Sequence, residues 1–149
     1  MARPRLVFLI AAIVLLLLGG LAFEVISTQP VRGAVRTCAE LFTIANRDGL
    51  TDSERLSKAR ALCSTQYLQN HPLALAPEGG IVNIPRNINM HFTAWHEGPN
   101  IWICPRDRDG PVYQFVFEGG GWRFDGLVAY LGRYGEIVRA SDFPKPVTK

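Results

Sequence analysis

The feature that most constrains this chain is an uncharged run, Leu6 to Phe23 (LVFLIAAIVLLLLGGLAF), in which 16 of 18 residues are apolar. As a helix it spans about 27 Å, just short of a ~30 Å hydrocarbon core, and Val25 and Ile26 extend it if Glu24 snorkels to the interface. No other part of the chain is large enough to surround a helix that is apolar on every side, so a buried core helix is the poorer reading. Arg3, Arg5 and the amino terminus precede the run, whereas Glu24 follows it and the next basic residues are Arg32 and Arg36. This asymmetry predicts a cytoplasmic N-terminal end and an exported remainder. An uncleaved single-pass anchor is the favoured outcome. The alternative is a signal peptide cut near Gly20-Leu21-Ala22, which leaves a secreted or periplasmic domain.

The chain divides into residues 1–29 (cytoplasmic stub and anchor or signal segment), a domain over 30–140 and a flexible tail over 141–149. Beyond the anchor the apolar fraction is that of an ordinary globular protein, which excludes disorder and further membrane spans. The formal charge of the whole chain is +3, and the exported part keeps only about two of those charges, too few for a nucleic-acid footprint.

Ser27-Thr28-Gln29-Pro30 predicts an end to the membrane segment and the start of a new helix, whose apolar stripe is Val31, Ala34, Val35, Cys38, Leu41, Phe42 and Ala45. Thr51-Asp52-Ser53-Glu54 is a capping box that starts a second helix, antiparallel to the first, with Leu56, Ala59, Cys63 and Tyr67 on its stripe and its end near Asn70. From His71 to Asn89, prolines and glycines interrupt every candidate element. Aromatic and β-branched runs then predict four antiparallel strands over 90–96, 100–104, 112–118 and 122–131.

The last hairpin has two possible registers. A two-residue turn at Gly119-Gly120 gathers Tyr113, Phe115, Phe117, Trp122 and Phe124 on one face. It leaves Gln114, Glu118, Arg123 and Asp125 on the other, with Glu118 and Arg123 as diagonal partners. An odd turn mixes the two sets, so the even register is expected.

Two helices, an irregular middle and antiparallel strands ending in VYQFVFEGGGWRFDG resemble the nuclear-transport-factor-like superfamily, also called SnoaL-like or cone-fold. The resemblance spans roughly residues 31–140. It implies an α+β fold in which a curved antiparallel sheet wraps the helices around a conical pocket. It leaves activity open, because the superfamily holds isomerases, dehydratases, cyclases, transport adaptors and exported domains of no known chemistry.

Candidate residues follow. Trp95, Trp102, Tyr113, Phe115, Phe117, Trp122 and Phe124 are expected either to line the pocket, where they would bind an apolar small molecule, or to fill the core. Steroid-isomerase-like members use an aspartate base beside a tyrosine, and Asp125 with Tyr130 is the nearby pair, yet the even register sets Asp125 on the polar face. His91 and His96 lie five apart on or beside one strand, so they point to opposite faces and form no common metal or acid-base site. Gly119-Gly120-Gly121 lacks the following helix that a phosphate cradle needs. No metal or cofactor is expected. Cys38 and Cys63 fall at comparable distances from Gly49 along antiparallel helices, which predicts a disulfide; Cys63 with Cys104 and three free thiols are the alternatives. The leading functional expectation is a non-catalytic binding or interaction module. Its partners would be membrane lipid through residues 6–23, an apolar small molecule, and an envelope protein or a second copy of the chain. The alternative is a small-molecule isomerase or lyase.

Overall fold

The structure, a computed structural model, describes residues 4–46, 49–77, 79–85, 91–106 and 109–142; within its first helix the side chains of residues 4–9, 11, 21 and 23–27 lie outside the description. That helix, α1, is a single unbroken element, Pro4–Asn46, of 43 residues with Pro30 in its interior, about 65 Å from end to end. The expected helix boundary at residues 27–30 is therefore not present. Pro30 removes one backbone hydrogen bond and its ring crowds the preceding turn. The helix continues because its next turns are held by packing: Ala34, Cys38, Leu41, Phe42 and Ala45 have no solvent exposure.

Further toward the N terminus α1 has a different surrounding. Six consecutive apolar side chains, Ile13 to Leu18, are 48–76% exposed around the whole helix circumference, and among the described residues nothing outside the helix's own backbone comes within 4 Å of where a Cβ on Gly19 or Gly20 would stand. Among the described residues, no helix is long and apolar enough to cross a membrane. The gapless described part of the apolar run, residues 12–20, measures about 14 Å.

Helix α2, Asp52–Leu62, starts at the expected capping box: Glu54 N–H donates to Thr51 Oγ1 at 3.3 Å and Thr51 N–H to Glu54 Oε2 at 3.0 Å. It lies on α1 through Leu56 and Ala59, and Arg55 Nη1 donates to the Ala45 carbonyl at 3.1 Å. The second helix is shorter than its stripe predicts. Cys63 ends it in an extended conformation, and Ser64 caps a separate helix, α3, Thr65–Asn70.

The strands are β1 Thr93–Glu97, β2 Asn100–Cys104, β3 Gly110–Glu118, β4 Gly121–Leu131 and β5 Ile137–Arg139. They pair antiparallel in sequence order as one curled sheet. Five strands stand where four were expected. The α+β class and the helix-then-meander order agree with the sequence reading, as does the two-residue hairpin turn: Phe117 opposes Trp122 and Phe115 opposes Phe124. One sheet face packs on the helices through Ile101, Ile103, Tyr113, Phe115 and Phe124. Phe42 of α1 meets Tyr113 edge-on at 5.8 Å. The other face curls over a smaller cluster of Trp102, Cys104, Val112 and Ala129. Arg139 of β5 closes that side, lying 5.7 Å from the Trp102 ring and 3.4 Å from Glu97 of β1. Of the expected tail, Ser141 and Asp142 belong to a 3-10 turn, Ala140–Asp142, and the remainder lies outside the described residues.

All three cysteines are buried and free. The expected Cys38–Cys63 bridge is not formed. Cys38 stands on the helical stripe of α1, but Cys63 has left its helix, and its backbone bridges Phe124 on the sheet. Burial pushes the Cys38 thiol far up and the Cys63 thiol to about 12. The expected outcome is that native protein resists alkylation at neutral pH while all three thiols react in denaturant without prior reduction, as read by mass spectrometry. A pair that reacts only after reduction would contradict the structure. A second comparison uses the hairpin register. Phe115→Ala, at a fully buried site, should cost about 3–5 kcal/mol. Phe117→Ala, at a site 63% exposed, should cost within about 0.5 kcal/mol, both read from unfolding of the detergent-solubilised chain.

Candidate functional site

The site is built on a defect in β4. Gln114 pairs with Gly126 and Phe115 with Phe124, so Asp125 is an extra residue; Val128 is a second one between Leu127 and Ala129. Such bulges bend a strand and re-aim its side chains. Gly126 supplies the backbone conformation, with φ at +104°. A Cβ there would also come within 3.1 Å of the Tyr67 ring.

The bulge stands where β4 has no strand on its outer side, because β5 covers only Ala129 to Leu131. Cys63 and Ser64 take that edge: Ser64 N–H donates to the Phe124 carbonyl at 2.8 Å. The Ser64 hydroxyl accepts from Tyr67 N–H at 2.9 Å and donates to Asp125 Oδ1. Gln114 Nε2 donates to Asp125 Oδ2 at 2.9 Å, and Gln114 Oε1 accepts from Trp102 Nε1 at 3.0 Å. Four side chains thus form a continuous hydrogen-bonded row from the Trp102 cluster to the first turn of α3. Each member has a partner for its buried donor or acceptor, the condition under which a half-buried polar row stabilises a fold. Both oxygens of Asp125 are therefore held by the chain's own donors.

Beside this row lies a pocket of about 610 Å³ whose walls include Tyr67, Tyr113, Ile84, Pro85 and Leu127, with Asp125, Asn83 and His71 as its polar groups. This volume suits a small molecule. His71 stacks on Tyr67 at 5.0 Å. Burial, followed by the nearby Cys63, pushes the Tyr67 phenol up to about 12; burial, followed by Tyr130, pushes Tyr113 still higher. Both phenols are accordingly protonated at neutral pH and can donate a hydrogen bond. Asn83 is the one non-glycine residue with positive φ among the described residues.

The candidate residues are dispersed. Tyr113 alone of the aromatic set lines this pocket. Phe115 and Phe124 are fully buried and fill the core. Trp95 and Trp102 meet edge-on at 6.2 Å on the opposite face. Phe117 and Trp122 line a second hollow at the hairpin tip, together with His96. His91 is exposed and stands before β1, so neither histidine approaches Asp125's pocket. Glu118 takes its hydrogen bonds from Thr65 Oγ1 and from Thr65 N–H at 3.1 Å, with Arg123 the weaker influence. Sequence reading missed Ser64, Gln114 and His71. Ser64 had one local signal, a capping residue inside an apparent helix; the other two are placed by tertiary contacts alone.

Among the described residues no group of three potential metal ligands is brought together. No family model matches the chain, and neither a curated protein nor a solved structure matches it.

The hydrogen bonds from Thr65 hold the Glu118 carboxyl below its ordinary value of 4.5. A depressed folded value contributes stability that is complete above about 4.5 and is lost as pH falls through the folded value. The Glu118 carboxyl should titrate by NMR below 4.5 and return toward it in Thr65→Val. A wild-type midpoint at or above 4.5 would contradict the contact.

Proposed function

We propose that this chain is a single-pass membrane protein whose extracytoplasmic domain, of nuclear-transport-factor-like type, binds an apolar small molecule in the Asp125 pocket without transforming it. The membrane part is supported by the exposed apolar circumference from Ile13 to Leu18. That surface is costly in water and is at home in hydrocarbon. The orientation rests on Arg3 and Arg5 before the run and Glu24 after it. The nuclear-transport-factor-like assignment is supported by the helices preceding a curled antiparallel sheet.

The observation that carries the binding reading is the state of Asp125. Both its oxygens are already engaged by Ser64 and Gln114, so the chain's own hydrogen bonds account for the carboxylate. The pocket offers aromatic and aliphatic walls with two phenol donors, a lining that recognises a mainly apolar molecule with one polar end. A second reading is favoured by the same geometry. Asp125 does line a pocket beside Tyr67 and Tyr113, an arrangement available to an isomerase or lyase with Asp125 as base.

Native mass spectrometry of the full chain extracted from membranes decides between them. The binding reading predicts a small-molecule adduct that survives Asp125→Asn, whose amide can still serve Ser64 and Gln114, and is lost in Leu127→Trp, which fills the pocket. The absence of any adduct, or an adduct indifferent to Leu127→Trp, would overturn it. A pure dimer or a bound envelope protein would move the function to an interface. Conversion of the identified molecule by wild type but not by Asp125→Asn would establish the enzyme. For topology, a reporter at the C terminus should be active outside the cytoplasm; activity inside would contradict the orientation.

A further inference from the structure

We infer that the two hairpin tips at one end of the domain, carrying Phe117 and Trp122, lie in the headgroup layer of the bilayer that α1 enters. This inference rests on the membrane-anchor reading. It adds that the domain itself is a lipid-contacting body.

The axial position of the tips places them there. Counted through Ile26, the apolar part of α1 is about 31 Å long, the thickness of a hydrocarbon core, and a headgroup layer adds about 5–8 Å on each side. Gln29 and Pro30 stand only three and four residues beyond Ile26, about 5–6 Å along the axis, and so fall within that layer. At this height the chain forms a hollow of about 610 Å³ between α1 and the hairpin tips, lined by Gln29, Pro30, Gly98, Pro99, Phe117 and Trp122, with His96 as its titratable group.

Their composition fits the same layer. Phe117 is 63% exposed and meets Trp122 edge-on at 5.5 Å. Trp122 in turn lies against α1 one turn above Pro30, where a Cβ on Gly33 would come within 2.8 Å of its ring. Aromatic side chains with an apolar body and a wet edge concentrate at membrane interfaces. The turns themselves, Gly98-Pro99 and Gly119-Gly120, carry no charge. The two acidic residues beside them are held by the protein: Glu97 by Arg139 at 3.4 Å and Glu118 by Thr65. Insertion of the tips therefore desolvates no unpaired carboxylate at either turn.

The tips are also held mechanically. No loop separates the apolar part of α1 from the turn at Gly33 against which Trp122 packs, so the tips cannot leave the surface unless the whole helix tilts. The hollow is accordingly occupied by lipid of the same leaflet.

The test uses the full chain in phosphatidylcholine–phosphatidylglycerol vesicles. Lipids brominated near the glycerol end of the acyl chain should quench the emission of one of the three tryptophans, and Trp122→Phe should abolish that quenching. A nitroxide on Phe117→Cys, the native thiols being buried, keeps the test independent of that substitution. Its preference for oxygen over a water-soluble nickel quencher should lie several-fold above that of a label at Tyr134, which is 92% exposed, and below that of one at Leu15. Equal values at 117 and 134 with Leu15 in lipid would overturn the inference and leave the anchor standing. A water-like value at Leu15 would overturn both.

Discussion

Helix α1 must satisfy two surroundings along one axis, and the rest of the structure is arranged around the second of them. From Ala34 to Ala45 its inner side carries small residues at 34, 38 and 45 and large ones at 41 and 42, all without solvent exposure. Small positions let the sheet approach, while Phe42 fills the space between Tyr113 and the helix and Leu41 is buried in the same cluster. The aromatic face of β3 and β4 packs on this stripe, with Tyr67 of α3 meeting Phe124 beside it. Helix α2 is tied to the same element through Arg55 and the Ala45 carbonyl. An interior proline in such a helix costs about 3 kcal/mol, and burial of Leu41 and Phe42 alone, at about 1.5–3 kcal/mol each, offsets it.

The bulges in β4 connect this packing to the candidate site. A regular strand there would leave Phe124's outer carbonyl and its neighbours as an open edge, which sheets normally protect. Here the break between α2 and α3 covers it, and the extra residue Asp125 accepts from the capping serine of α3. One device therefore closes an edge, starts a helix and forms the polar end of a pocket. Removal of any one part exposes the others.

Much of this was legible where the information is local. The capping box at Thr51 and Glu54, the bounds of β2, those of β3 and β4 to within two residues, and the Gly119-Gly120 register all follow from neighbouring residues and period-two alternation. The misses share a tertiary cause. An end to the helix at Pro30 was expected from a local rule, which packing at 34–45 overrides. A single helix over 52–70 was expected because Leu56, Ala59, Cys63 and Tyr67 keep a helical spacing, yet the open edge of β4 draws Cys63 and Ser64 into a bridge. Strand β5 is three exposed residues without alternation; it is held by antiparallel pairing with Ala129 to Leu131 and by Arg139, which reaches Glu97 and Trp102 across the curled sheet. Of the pocket's lining only Tyr113 is legible as such in the sequence, because Tyr67, His71, Asn83 and Asp125 come from three separate segments.

One unbroken helix carries both the apolar surface and the domain core. Distance measurement by paired nitroxide labels at Leu16→Cys and Thr43→Cys, two exposed positions of α1, tests it in the full chain reconstituted in bilayers. A continuous helix across 27 residues predicts a narrow distribution centred near about 40 Å. A broad distribution, or one centred well short of that distance, would mean a hinge near Pro30 and would contradict the account.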